Sequence, residues 1–197
     1  MPRPRLILAS ASPRRRELLT EAGYEFAVFV PPGDVECGVC SEQGPAGLVM
    51  ELAERKASAV RELVRKQQNG QIIVAADTVV ECDGFVLGKP PNEEAAREML
   101  RQLRGRLHRV LTGVCVWPSD RAVPLVRVAV TELRMDNLPD AEIEAYVATG
   151  QWEGKAGGFG YQDRLGWVHV VSGSESNVVG LPLELLAEML NEVAVSR

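Results

Sequence analysis

The sequence predicts an α/β fold, and three observations carry that prediction. Leu6-Ile7-Leu8-Ala9 is a short apolar run followed at once by a hydroxyl-rich turn and a helix-like segment opening at Pro13. Ile72-Ile73-Val74-Ala75-Ala76 is a continuous, partly β-branched run bounded by Gly70, as expected of a strand covered on both faces. Strand-like and helix-like stretches alternate along 197 residues, a length suited to a single domain, 1–197, with or without a small lobe, around a substantial core.

Bulk composition narrows the function classes. With 22 Lys and Arg against 27 Asp and Glu, the net charge is −5, which argues against a nucleic-acid binder with a broad basic face. An anion site must then be a local concentration of positive charge. No apolar run reaches transmembrane length, so no membrane partner is expected. The start of the chain imitates a signal peptide, but its apolar part is too short and reads as a strand. Cys37 and Cys40 have metal or redox spacing, yet no second such pair follows, and His108 and His169 stand alone in strand-like runs. Ordinary thiols in a reducing cytoplasm are the expectation for these two, as for Cys82 and Cys115.

Taken in order, the elements place several candidate residues. Ser12 suits an N-cap and Pro13 a first helical position, so a helix follows the Leu6–Ala9 strand. It opens on Arg14-Arg15-Arg16, positive charge at the positive end of a helix dipole, which costs about 0.3–1 kcal/mol per residue. Ser10, the free N–H groups of the helix start and the guanidinium groups suit a polyanion; a solvated helix start is the plain alternative. Gly23 closes the helix, Phe26 to Val30 makes a second strand, and Pro31-Pro32-Gly33 breaks regular structure ahead of Asp34 and Glu36. A long helix is predicted from Ala46 to Lys66. Its apolar positions Val49, Leu52, Ala53, Val60 and Leu63 recur at helical spacing, and Lys56 falls on that buried stripe, so it must snorkel to water or meet an anion. For an isolated lysine, snorkelling is the commoner outcome.

Asp77 and Thr78 are expected at the carboxyl end of the Ile72 strand, where open α/β sheets place ligands and where an acid suits a metal ligand or general base. A hairpin over Val79–Leu87, turning at Asp83-Gly84, delivers Lys89 between Gly88 and Pro90. Asn92 caps a packing helix closed by Gly105. Leu107–Trp117 and Pro124–Met135 are long strands suited to antiparallel pairing. A short helix opens at Pro139 and ends at Gly150. The glycine-rich stretch Gly154 to Asp163 brings Lys155 and Gln162 on a backbone able to approach a ligand closely. Trp167–Val171 is a strand, and a helix from about Pro182 to Asn191 closes the pattern.

Together, LASASPRRRELL, the lysine on a buried helix face, AADTVV, GKP, KAGGFGYQ and NVVGLPL resemble, in order and from end to end, the Maf family of nucleoside triphosphate pyrophosphatases. The resemblance implies a fold like that of the inosine-triphosphatase-like enzymes: an elongated mixed sheet flanked by helices, with two lobes and a central cleft. It implies hydrolysis between the α and β phosphates with a divalent metal cation, Mg²⁺ or Mn²⁺, in the cytoplasm, by a homodimer. By matching motif, Ser10, Arg14, Arg15, Lys56 and Lys89 would hold phosphates, with Lys155 a further contact. Asp77 would accept the proton of the attacking water and, with Glu36, hold metal. Arg14, Thr78 and Gln162 match the branch that acts on dTTP and UTP, and the Gln162 amide and Thr78 hydroxyl suit a pyrimidine edge. The other branch, linked to 7-methyl-GTP, has Trp at the first of these positions. Asp163 departs from the pattern, a Gly being commoner there, and the Pro31-Pro32-Gly33 segment is one residue longer. The alternatives are the same chemistry on another base, or a nucleotide-binding regulator of division with little turnover.

Overall fold

The computed structural model describes residues 6–36, 41–64, 70–163 and 165–195, and of Asp34 and Glu36 the backbone alone. Cys37, Cys40 and the predicted helix end at Lys66 lie outside the described residues. The elements are β1 (Leu6–Ala9), α1 (Pro13–Glu21), β2 (Phe26–Phe29), α2 (Gly44–Val64), β3 (Ile72–Cys82), β4 (Phe85–Leu87), α3 (Glu93–Leu103), β5 (Leu107–Pro118), β6 (Leu125–Met135), α4 (Asp140–Ala148), β7 (Val168–Ser172), α5 (Glu175–Val179) and α6 (Leu183–Val195). Single 3-10 turns occupy Gly33–Glu36, Ala156–Gly158 and Tyr161–Asp163. Hydrogen bonding orders the strands β2-β1-β3-β5-β6-β7, with β4 on β3. β1 pairs in parallel with β2 (Leu6 opposite Phe26) and with β3 (Leu6 opposite Ile72), the pairing expected where helices serve as crossovers.

Two compact units emerge, residues 1–77 with 112–129 and 180–197, and residues 78–111 with 130–179. In the first, the two-residue period of the strands divides the apolar side chains between two cores. Leu6, Leu8, Ile72, Val74, Ala76, Val114 and Val116 pack with Leu19 of α1 and Leu186, Met189 and Val193 of α6. Ile7, Ala9, Ile73, Ala75, Cys115 and Trp117 pack with Ala53, Ala57, Val60 and Val64 of α2, whereas Leu63, expected on the same stripe, is exposed because the helical turn brings Val64 to the sheet instead. The continuous apolar run of β3 is thus covered on both faces, as its composition requires.

α1 starts as the sequence predicts, with Ser12 at the N-cap and Pro13 first in the helix, but the Ser12 side chain makes no capping hydrogen bond. At its other end Gly23 takes φ +74°, and Tyr24 N–H donates to the Leu19 carbonyl at 3.0 Å, so the helix closes on a left-handed glycine. α2 lies very close to β5. A Cβ on Gly113 would run into the Val49 carbonyl and sit 2.6 Å from the Met50 nitrogen, so only glycine lets the helix backbone approach here.

β3 differs from expectation. It does not end at Thr78 but runs to Cys82, because Thr78-Val79-Val80 are strand formers and a second partner is available. Parallel pairing with β1 stops at Val74, and antiparallel pairing with β4 starts at Val80. Asp77 therefore lies inside the strand, three residues beyond the last pair with β1. Asp83 (φ +51°) and Gly84 (φ +85°) make the tight turn that their dipeptide predicts. α5, only five residues long between Gly173 and Gly180, is not foreseen by the sequence.

The second unit has its own core, in which Val80, Leu100, Leu103, Val110, Leu133, Met135, Ile143, Phe159 and Trp167 are buried. Asn92 caps α3 by accepting from the Ala95 N–H at 2.9 Å, as predicted. His108 is 2% exposed in this core. Its ring meets Phe159 edge-on at 5.6 Å, and its Nε2 has no hydrogen-bond partner among the described residues. Burial pushes its pKa down to about 4. An imidazole held neutral in the folded state but protonated on unfolding contributes stability above about pH 6.5, which is lost as pH falls toward 4. Over that window the loss is about 3 kcal/mol. Urea titrations between pH 7 and pH 4 are predicted to show this acid loss in the natural chain and a shallower one in His108→Phe.

Candidate functional site

The polar candidates of the first unit form two groups, one joining β3 to α2 and one at the start of α1. Alternation along β3 puts Asp77 on the face of Ile73 and Ala75, the face covered by α2. Lys56, on the buried stripe of α2, meets it there: Nζ donates to Asp77 Oδ1 at 2.5 Å. The two side chains are only 7% and 11% exposed. Lys56 therefore does not snorkel; its anion is supplied by the chain itself. A long aliphatic stem lies among alanines and valines and its charge is met by a carboxylate 21 residues away. Asp77 Oδ2 accepts no hydrogen bond from the described residues, so one oxygen of the acid is oriented and the other remains available.

At the end of β1, Ser10 is 4% exposed. Its Oγ accepts from the Ser12 N–H at 3.1 Å and from the Arg15 Nη1 at 3.4 Å. Arg15 Nε donates to the Gly180 carbonyl at 2.7 Å. The guanidinium is thus fixed from two sides at the start of α1. Arg14 beside it is half-buried, and no acidic residue occupies the first turn. Positive charge thus stands at the start of a helix whose first turn carries no acid of its own. The Gly180 carbonyl is a contributor that the sequence does not disclose: it is a backbone atom 165 residues from its partner.

The second unit carries the other candidates. Thr78 is half-buried, on the strand face opposite Asp77. Lys89 is exposed, and Gly88 before it accepts from the Gly157 N–H at 2.9 Å, which ties the Gly88-Lys89-Pro90 segment to the glycine-rich loop. Gly157 has φ +69° and lies so close to Val80 that a Cβ would clash, so glycine is required twice over. Gln162 is exposed on the 3-10 turn Tyr161–Asp163. Lys155, expected as a substrate contact, donates its ammonium to Asp163, the two side chains being 11% and 17% exposed. Glu81, another buried acid, is engaged elsewhere: it accepts from Arg109 Nε at 2.7 Å and the Gly84 N–H at 2.8 Å. Burial pushes its pKa up, but these donors outweigh it and the net shift is downward.

For a divalent cation the donor set is lean. Among the described residues no three His, Cys, Asp or Glu side chains form a metal group. Asp77 Oδ2 is a hard, accessible oxygen donor, and Mg²⁺ is commonly held by one or two carboxylates with water and substrate phosphate completing its shell. Asp77 fits that kind of site. The Glu36 side chain lies outside what is described, although its backbone follows Val35 in the turn Gly33–Glu36.

The Lys56–Asp77 pair makes a stability prediction. Removing one charge of a buried pair leaves the other uncompensated and costs about 3–5 kcal/mol, whereas removing both costs far less. Lys56→Met and Asp77→Asn are each expected to lower the urea midpoint strongly, and the double variant to recover most of the loss. Additive losses in the double-mutant cycle would show that the charges are not coupled.

A model of the family described as Maf-like protein matches residues 5–193. The chain is 48% identical over 186 residues to the dTTP/UTP pyrophosphatase of Rhodopirellula baltica, covering 94% of this chain and 80% of that protein. It is 47% identical over 190 residues to the dTTP/UTP pyrophosphatase of Anaeromyxobacter dehalogenans strain 2CP-C, covering 95% of this chain and 93% of that protein. Among solved structures, the Ham1 protein of Staphylococcus aureus aligns at 15% identity with a TM-score of 0.45, over 68% of this chain and 72% of that one, too slight a likeness to add to the assignment. A match along nearly the whole chain, with relatives at this identity, places it plainly: the chain belongs to the Maf-like protein family.

Proposed function

We propose that this chain is a nucleotide pyrophosphatase that cleaves dTTP and UTP between the α and β phosphates, releasing the monophosphate and pyrophosphate and so policing the nucleotide pool. The observation that carries the reading is the Lys56–Asp77 pair, which buries a carboxylate, orients one of its oxygens and leaves the other able to take a proton. The names of the relatives at 47–48% identity support it.

In this reading Asp77 Oδ2 accepts the proton of the attacking water, held by Lys56 so that little reorganisation accompanies the reaction. Ser10, Arg14, Arg15 and Lys56 of the first unit make up a phosphate-binding set, and Lys89 is the phosphate contact that the second unit offers. The Ser10–Arg15–Gly180 anchoring means that the guanidinium is ordered before substrate arrives, which lowers the entropic cost of binding. Thr78 and Gln162 read the base: a Gln amide offers both an acceptor for N3–H and a donor for O4 of a uracil or thymine edge. Asp77, with Glu36, would hold a Mg²⁺ or Mn²⁺ ion, which when bound offsets phosphate charge and makes a bound water more acidic. The same reading places the enzyme in the cytoplasm as a homodimer acting on a free nucleotide, with no nucleic acid involved. Among the described residues no helix is long and apolar enough to cross a membrane.

Pyrophosphate release from dTTP, UTP, CTP, ATP and GTP with Mg²⁺ tests the proposal. Turnover is expected on dTTP and UTP, and Asp77→Ala is expected to lower kcat by about 10²–10⁴-fold, measured below the melting temperature of the variant. Near-normal turnover by the folded variant would remove Asp77 from the chemistry. A purine preference would transfer the reaction to another base, and nucleotide binding without pyrophosphate release would indicate a regulator.

A further inference from the structure

We infer that Asp163 is a positioning residue that sets base preference, by clasping Lys155 and so fixing the loop that presents Gln162. The inference rests on the nucleotide reading above and deepens it. Between Lys155 and Asp163 the chain is Ala-Gly-Gly-Phe-Gly-Tyr-Gln, and Gly157 and Gly158 both have positive φ, +69° and +73°. So glycine-rich a segment does not hold one conformation unaided. Its first half is pinned by the Gly157 N–H bond to the Gly88 carbonyl at 2.9 Å and by Phe159, 5% exposed against His108. Its second half, which carries Gln162, has fewer ties. Asp163 N–H donates to the Gly160 carbonyl at 3.1 Å, and the Tyr161 hydroxyl donates to Glu175 Oε1 at 2.9 Å on the exposed surface, where such contacts contribute little.

Among the described residues a stronger tie is the Lys155–Asp163 ion pair, largely withdrawn from water at 11% and 17% side-chain exposure. Gly160 lies against it so closely that a Cβ would run into both Lys155 Nζ and the Asp163 carboxylate, so the loop is wrapped around the pair. The carboxylate also neutralises the ammonium where it stands, which suits Lys155 to holding the loop instead of presenting a net charge to phosphate.

The chemistry of Gln162 explains why position matters. Its amide, turned over, matches the donor–acceptor edge of cytosine as well as it matches that of uracil. The residue type alone therefore does not separate the two bases. Separation comes from where the turn Tyr161–Asp163 puts the amide, and the clasp holds that turn.

The test is steady-state pyrophosphate release from UTP, dTTP and CTP, with inorganic tripolyphosphate as competitive inhibitor. It compares the natural chain with Asp163→Asn, Lys155→Met, the double variant and Asp163→Glu. Asp163→Asn and Lys155→Met are each expected to reduce the kcat/KM ratio of UTP over CTP by about tenfold, mainly through the KM for UTP. The double variant should be no worse than either single one, and Asp163→Glu should restore the ratio to within about threefold of the natural chain. Tripolyphosphate inhibition should be unchanged throughout. Weaker tripolyphosphate inhibition in Lys155→Met alone would make Lys155 a phosphate ligand and overturn the clasp. Equal losses on all three nucleotides, accompanied by a lower melting temperature, would reduce the pair to a structural role and overturn it too. Failure of the natural chain to cleave any of the three would instead refute the nucleotide reading itself, and the clasp with it.

Discussion

The ion pair between Lys56 and Asp77 is the constraint on which the first unit turns. Neither charge is tolerable alone at such burial, and together they are, because each supplies the other with a charge-assisted hydrogen bond at 2.5 Å. The pair also joins a helix to a strand at a fixed spacing. α2 must present its buried stripe to β3 in one register for the ammonium to reach the carboxylate, and the alanines and valines around Lys56 are small enough to allow it. The same bond that settles packing thereby leaves Asp77 with one oxygen committed and one not. In the reading proposed above, stability and chemistry draw on a single interaction here.

The second cluster follows the same logic with a different anchor. Arg15 is held by a carbonyl and a hydroxyl, neither of which cancels its charge. It is ordered through neutral acceptors, whereas Lys155 is ordered through a carboxylate. That difference between the two anchors is one that total charge does not reveal. A chain at −5 overall still holds a guanidinium in a fixed place.

Much of this was legible in the residues themselves. Hydroxyl, proline and arginine following a short apolar run define the strand, turn and helix around Ser10 and Arg15. The period of α2 places Lys56 on the buried side before any partner is known. Local chemistry also specifies the Asp83-Gly84 turn and the Asn92 cap. What periodicity does not carry is pairing at a distance. Nothing near Lys56 names Asp77, and nothing near Arg15 names the carbonyl of Gly180. The β3 strand runs past Asp77 because a short second partner replaces β1, a substitution visible only once strands are paired. In the glycine-rich loop, Lys155 and Asp163 meet across an irregular path that has no period, so Asp163 reads in the sequence only as a departure from a pattern.

Gly113 is a bare spot on a strand, distant in sequence from every candidate group, yet the backbone of α2 rests directly on it at Val49 and Met50. Any side chain there acts as a wedge under the helix, two turns upstream of Lys56. A displacement of about 1 Å is large on the scale of a hydrogen bond, so a change at this glycine would unseat the contact between Lys56 and Asp77 without touching either residue. The thickness of one methyl group thus sets the tolerance to which that pair is seated.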